Sequence, residues 1–321
     1  MFRLVPKHTM RFLHANIRSF RNNLDKLTRQ LEIFEPDIFG LNETHFEMDM
    51  DFDTFKTPTS YYNHSNHVFR IKNDTRSPPL SGTSVFSNDS IKVTQISKSS
   101  DHEIINCKVY NESEKINLIY AYLSPSSKKA QVLNFYKQVI TLTNKTQKSE
   151  RVLIIGDLNA KNNNIYPTTS PCYSGEILAK ILNGEQDLNL PSCKRQLTNL
   201  VKYPTRRQGS TKNLLDFVIT DTLTSGDITI THTEPISDHD TLIIDIGKTK
   251  NFDLVNASII TSFAYEEADK VNLRKGLTEL GDEIREDLRP NSKSMKSIEE
   301  ELRGGANVKV SGKCRPPPDP L

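Results

Sequence analysis

Apolar and polar positions alternate along the chain in a way that divides it into short strands and a few helices. Met10–Ala15 reads as a short strand, and Arg21–Phe34 as a helix, because Leu24, Leu27, Leu31 and Phe34 recur at helical spacing. Pro36 ends that helix, and the mostly apolar Asp37–Asn42 reads as a second strand. A strand–helix–strand opening suits a layered α/β fold. Asp49–Ser81 is polar and rich in Tyr, His and Asn, and reads as loops over a sheet edge. Ser84–Phe86, Ile91–Ile96, Ile104–Val109 and Ile116–Tyr122 read as strands. The first three are short and close together, the pattern of antiparallel neighbours. Lys129–Leu142 is helical, with Val132, Phe135, Val139 and Leu142 on one face. Arg151–Gly156 (RVLIIG) has the unbroken apolar run of a buried strand, and Ser174–Leu182 reads as a helix. Leu214–Thr220, Ile228–Thr231 and Thr241–Ile246 complete the strands.

Beyond Gly247 the pattern changes. Thr249–Ile260 reads as a linker, and Phe263–Leu288 as a charged helical stretch closed by Pro290. After Arg303 the chain is rich in Gly and Pro and is expected to be disordered. The expected organisation is a folded domain over 1–247, a helical extension over 248–303 and a tail over 304–321.

Composition narrows the partner classes. The net charge of +2 on 321 residues makes no global demand for a polyanion, so any nucleic-acid footprint has to be a local patch. An apolar share of 35% excludes a wholly disordered chain. No apolar run reaches the length of a membrane span, and the basic start from Met1 to Phe20 lacks the apolar core of a signal peptide. Cys107, Cys172, Cys193 and Cys314 show neither zinc-pair nor redox-pair spacing, so reduced thiols in an intracellular protein are expected. No obligate protein partner is readable.

Polar clusters fall at the ends of the expected strands, where layered sheets build sites. Asn16 follows the first strand, Glu43 the second, and Asp157 with Asn159 follows RVLIIG. Asp216 lies in LLDFVIT, and Ser237-Asp238-His239 precedes the last strand. Taken singly, each is equally a turn, a cap or a surface carboxylate. Together they make a reaction set. A hard divalent cation takes carboxylate and amide oxygens, which Glu43, Asn16 and Asp238 could supply. Attack on a phosphodiester also needs a positioned water and a group that stabilises charge on phosphate, roles that fit Asp157, Asn159 and His239.

HANIRSF (14–20), DIFGLNETHF (37–46), LIYAYLSP (118–125), LIIGDLNAK (153–161), LLDFVITD (214–221) and SDHDTLIIDI (237–246) resemble, in order, the motifs of the endonuclease/exonuclease/phosphatase superfamily. The likeness is strongest to the endonuclease domain of jockey-like non-LTR (LINE-type) retrotransposons and covers about residues 10–246. It implies a deoxyribonuclease I-like, four-layered α/β sandwich of two mixed β-sheets flanked by helices. It also implies an Mg²⁺-dependent phosphodiesterase, with Mn²⁺ suiting the same oxygens, that nicks duplex DNA and leaves a 3′-hydroxyl. By the resemblance, Asn16, Glu43 and Asp238 are metal-side or network residues, and Asp157 and Asn159 orient the water. His239 contacts phosphate, Asp216 pairs with His239, Tyr120 is the active-site tyrosine and Thr205 lies near the phosphates.

The tyrosine motif departs from the Tyr-Ala-Pro-Asn of many relatives. It runs Tyr120-Ala121-Tyr122-Leu123-Ser124-Pro125, which leaves either Ser124 as the substitute for the phosphate-contacting Asn or no such contact. Lys202–Lys212 (KYPTRRQGSTK) carries Arg206 and Arg207 and matches the hairpin that relatives insert in a DNA groove, the alternative being a solvated basic loop. No reverse-transcriptase motif follows, so a domain, a fragment or a truncated element copy is expected, with the nucleus as its place of action. The competing readings are a phosphatase for a small molecule or lipid, and a decayed DNA-binding remnant.

Overall fold

A computed structural model of the chain describes residues 10–46, 54–56, 61–68, 81–99, 102–111, 114–168, 170–208, 211–221 and 226–247. The expected extension over 248–303 and tail over 304–321 lie outside those residues. The elements run β1 (Met10–Asn16), α1 (Phe20–Phe34), β2 (Ile38–Asn42), β3 (Thr54–Lys56), β4 (Tyr61–Val68), β5 (Thr83–Asn88), β6 (Lys92–Lys98), β7 (Glu103–Tyr110) and β8 (Lys115–Tyr122). They continue with α2 (Lys129–Lys145), β9 (Arg151–Asp157), α3 (Tyr173–Asn183), β10 (Leu197–Asn199), β11 (Arg206–Gln208), β12 (Thr211–Asn213), β13 (Asp216–Asp221), β14 (Ile228–Thr233) and β15 (Thr241–Ile246).

Two mixed sheets form the body. The first has the order β14-β15-β1-β2-β5-β4-β3, the second β10-β13-β9-β8-β7-β6, and β11–β12 is a separate hairpin. β1 and β2 are parallel, joined by α1, and β8 and β9 are parallel, joined by α2. The remaining pairings are antiparallel.

Strand alternation sends side chains to two cores. Leu13 and Ala15 of β1 and Phe39 and Leu41 of β2 pack with Phe20, Leu27 and Leu31 of α1 on the outer face of the first sheet. Leu24 and Phe34 lie partly buried beside them, as their helical spacing predicts. Met10, Phe12 and Ile38 point the other way and join Leu118, Leu153 and Val218 between the sheets, in a core that extends to Phe135 of α2 and Leu178 of α3. The result is the expected four-layered sandwich.

Two expectations about the strands fail. The chain crosses from one sheet to the other between Asn88 and Lys92, so β5 pairs with β2 and β4, while only β6 and β7 are antiparallel neighbours. Closeness in sequence cannot distinguish a hairpin from a crossover that also spans a few residues. The stretch Asp49–Ser81, expected as loops, contains β3 and β4. The segment YYNHSNHV has no apolar alternation. Its described anchor is Tyr62, whose ring meets Phe39 edge-on and whose hydroxyl donates to the Pro36 carbonyl at 2.9 Å.

Candidate active site

The face of β1 turned toward the second sheet reads Met10, Phe12, His14, Asn16, passing from apolar to polar along the strand. The inward face of β2 reads Ile38, Gly40, Asn42, and that of β9 ends at Asp157. Polar side chains therefore meet where β1, β2, β8 and β9 end and β13 begins, at one rim of the interlayer. Asp216 pairs directly with Asp157 across β13 and β9.

Two glycines permit the approach. The position of a Cβ on Gly40 falls 2.2 Å from Cε2 of the Tyr120 ring, so the opposite sheet fills the space a side chain would need. Gly156 has φ +148°, and a Cβ there would fall 1.7 Å from the Ala121 carbonyl oxygen. Only glycine lets β9 run this close to β8 and deliver Asp157.

The residues expected on the metal side are in contact with one another and with Asp157. Asn16 Nδ2 donates to Glu43 Oε1 at 3.0 Å and to Asp157 Oδ2 at 2.9 Å. Glu43 holds a left-handed φ of 52° and accepts from the Tyr122 hydroxyl at 2.9 Å. The loop after β1 is zipped onto the loop after β2 by Ile17, Ser19 and Phe20 N–H groups donating to the Asn42, Glu43 and Thr44 carbonyls. Asn42 anchors the water-side carboxylate from below: its Oδ1 accepts from the Asp157 N–H at 2.9 Å, and its amide donates to Thr83. Asn159, with φ 45°, donates its backbone N–H to Asp157 Oδ1 at 3.0 Å and its amide to the Leu123 carbonyl.

The histidine side is equally ordered. His239 Nδ1 lies 2.7 Å from Asp216 Oδ2. Burial alone would lower the His239 pKa, but Asp216, then Asp157 and Asp238, outweigh it and raise it to about 9. Burial would raise Asp216, yet His239 and His14 hold it well below the carboxylate range. Asp157 is pushed up to about 8 by burial first and by Asp216 second. Two facing carboxylates thus take different states, one ionised and one ready to hold a proton near neutrality.

The donor set suits a hard divalent cation. Asn16 Oδ1 is buried with no hydrogen-bond partner among the described residues, an oxygen left open beside the Glu43 carboxylate. Asp157, Asp216 and His239 also present ligand atoms within 4.8 Å of one another. Because His239 and Asp216 already bond each other, the unpartnered Asn16 oxygen beside the Glu43 carboxylate would be the better seat. Asp238 stands on the network side: its Oδ2 accepts from Arg206 Nε at 2.8 Å and from Arg18 at 3.0 Å, while Oδ1 is unpartnered. Burial would raise the Asp238 pKa, but Arg206, His239 and Arg18 lower it.

Three expected contacts differ. The tyrosine at Glu43 is Tyr122. Tyr120 lies deeper, bonded to His14, because residues two apart share one strand face and the longer reach to the rim belongs to the later one. Thr205 is fully buried, and its hydroxyl oxygen accepts from the Leu215 and Asp216 N–H groups, so it braces the Asp216 strand from behind. Ser124 lies in the turn after β8, bonded to Ser126. Arg206 and Arg207 stand on the β11–β12 hairpin, where Arg207 pairs with Asp240 at 3.3 Å and is 59% exposed. His14, Arg18, Asn42 and Tyr122 were not singled out by sequence. All four fall inside quoted motifs, but only the docking of the two sheets assigns their partners.

The backbone superposes on solved structures. The endonuclease domain of TRAS1, a telomere-specific non-LTR retrotransposon, gives a TM-score of 0.54 at 16% identity over 74% of this chain and 98% of that one. The catalytic domain of Xenopus laevis APE2 gives 0.53 at 14% identity, over 75% and 94%. The AP endonuclease LMAP of Leishmania major gives 0.50 at 13% identity, over 77% and 90%. At these identities the likeness establishes the deoxyribonuclease I-like fold. No curated protein matches the sequence. The endonuclease/exonuclease/phosphatase family matches residues 13–239, most of the chain and every strand end that builds the site, and the chain belongs to that family.

Proposed function

We propose that this chain is a metal-dependent endonuclease that nicks duplex DNA, the kind of domain with which a non-LTR retrotransposon opens its target. The observation that carries the reading is the convergence at one rim of a carboxylate raised to about 8, a histidine raised to about 9 by its paired aspartate and an open amide oxygen beside a glutamate. Glu43 and Asn16 would hold the cation, Mg²⁺ by ligand type with Mn²⁺ suiting the same oxygens. When bound, the cation supplies charge neutralisation at the phosphate. Asp157 is positioned to take the proton of the attacking water, and a pKa near the working pH is what that task needs. Asn159 fixes the Asp157 carboxylate through its N–H. His239, cationic at neutral pH, stabilises the charge that develops on the phosphate oxygens, with Asp216 fixing its ring orientation and favouring its charged form. Water adds to phosphorus as the bond to the 3′ oxygen breaks, leaving a 3′-hydroxyl.

DNA as the substrate is favoured by cations at the mouth. Arg18 is half-exposed, and Arg206 and Arg207 stand on the adjoining hairpin. A strand of phosphodiesters offers each a partner. The test is nicking of supercoiled plasmid by the purified chain in Mg²⁺, with EDTA, Asp157→Ala and His239→Ala as controls. Nicking that is lost in all three is expected. Release of inorganic phosphate from inositol phosphates without nicking would replace the reading by a phosphatase, and inertness of the folded protein toward both in Mg²⁺ and Mn²⁺ would make it a decayed DNA-binding copy.

A further inference from the structure

Asp216 accepts from two imidazoles, and only one belongs to the site. His239 Nδ1 takes Oδ2, and His14 Nε2 lies 3.0 Å from Oδ1. The second nitrogen of His14, Nδ1, lies 2.6 Å from the Tyr120 hydroxyl, with the two rings edge-on at 5.6 Å. His14, Tyr120 and Asp216 are all 2% exposed or less. Gly40 clears the space in which the Tyr120 ring stands.

The protons follow from the partners. An ionised carboxylate only accepts, so both ring nitrogens that face Asp216 carry hydrogen. A neutral His14 protonated on Nε2 offers Nδ1 as an acceptor, and the Tyr120 hydroxyl is the donor. Burial, then Asp216 and Asp157, push the Tyr120 pKa well above its ordinary value, so it stays a hydroxyl. Each side chain in the row can therefore satisfy the next in one sense only.

We propose that Tyr120 and His14 are positioning residues: they fix the Asp216 carboxylate so that Oδ2 stays aimed at His239 Nδ1, which leaves His239 Nε2 for the phosphate. The proposal rests on the reading of His239 as the phosphate-side group. Without His14, Oδ1 would lose its imidazole partner in a dry interior, and the carboxylate would be free to rotate away from His239. Tyr120 is thus needed for the reaction without touching the substrate.

The full chain with His14→Ala, His14→Gln or Tyr120→Phe is compared with the native protein by two readouts. Imidazole ¹H–¹⁵N spectra without metal report the protonation of His239 and the hydrogen bond of its Nδ1–H, and plasmid nicking in Mg²⁺ gives kcat and KM separately. His14→Ala is expected to shift or broaden the hydrogen-bonded Nδ1–H resonance of His239 and to lower kcat by about tenfold to a hundredfold with KM little changed, the range for removing an outer partner of a site histidine. His14→Gln, whose amide can donate to Asp216 and accept from Tyr120, is expected to restore both. Tyr120→Phe is expected to leave His14 Nδ1 without its hydroxyl partner, shifting the His14 ¹⁵N resonances, and to move those of His239 in the same sense as His14→Ala. A folded His14→Ala protein with native His239 resonances would overturn the proposal and make the pair a satisfied core contact. If His14→Ala does not fold, native His239 and His14 spectra in Tyr120→Phe would overturn it instead. Absence of nicking by the native protein would strike the nuclease reading alone, because the spectra judge the relay independently.

Discussion

At the scale of single residues, the site works by giving like groups unlike surroundings. Asp157 and Asp216 face each other on paired strands, yet one is raised to about 8 and the other held low by two imidazoles. This has a sign that stability measurements can read. His239 in the folded, metal-free protein binds its proton up to about pH 9, against 6.5 for the free side chain, so its contribution is complete below pH 6.5 and lost as pH rises through 9. Asp157, raised in the same direction, keeps its proton to about pH 8 and adds to the same decline. Denaturant midpoints of the metal-free chain are expected to fall between pH 6.5 and 9, with the histidine accounting for roughly 3 kcal/mol. Asp216→Asn should flatten that slope, and a slope unchanged by the substitution would mean that Asp216 does not set the His239 charge. Asn16, Glu43, Asp157 and His239 were legible because each stands beside the end or start of an apolar run, and Asp216 because it is a lone carboxylate inside one. His14 was not: inside a strand, one histidine among apolar residues looks like any buried one until its partners from the opposite sheet are known. Tyr120 and Tyr122 share a face and a motif, and the Glu43 that separates their roles comes from a strand some eighty residues earlier, in the other sheet.

At the scale of elements, the site depends on how closely two sheets approach. Gly40 on β2 faces the Tyr120 ring on β8. Gly40→Ala puts a methyl group into that ring, and an overpacked core of this kind costs about 1–3 kcal/mol. A lower urea midpoint with an unchanged denaturant slope is the expected result; no loss of stability would mean that the sheets separate at little cost. The β11–β12 hairpin makes a different prediction, for binding rather than folding. Replacing Arg206 and Arg207 together by Ala should weaken DNA binding across all sequences and reduce the slope of log affinity against log salt by roughly one to two. An unaltered slope would leave the hairpin as a solvated loop. Long apolar runs such as RVLIIG and the helical stripe of α1 announced themselves in the sequence. β4 did not, because its pairing to β5 makes up for an apolar pattern it lacks. β10, β11 and β12 escaped because three residues are too few to show a period.

At the scale of the whole molecule, the family match and the strands of both sheets fall before Gly247. A chain ended after Gly247 is therefore expected to unfold in one cooperative transition and to keep the metal-dependent nicking proposed for the full chain. Loss of the transition would assign a structural duty to the segment beyond. Among the described residues no helix is long and apolar enough to cross a membrane, and Cys107, Cys172 and Cys193 are free thiols, so neither anchoring helix nor disulfide contributes to holding the described fold. The side chains of the rim are drawn from residue 14 to residue 239, half from each sheet. Contacts so distant along the chain form late in folding, after most of the loop-closure entropy has been spent. The proposed nicking activity should then emerge with the slowest refolding phase and be absent from a nascent or half-folded chain, a safeguard for any cell that translates it.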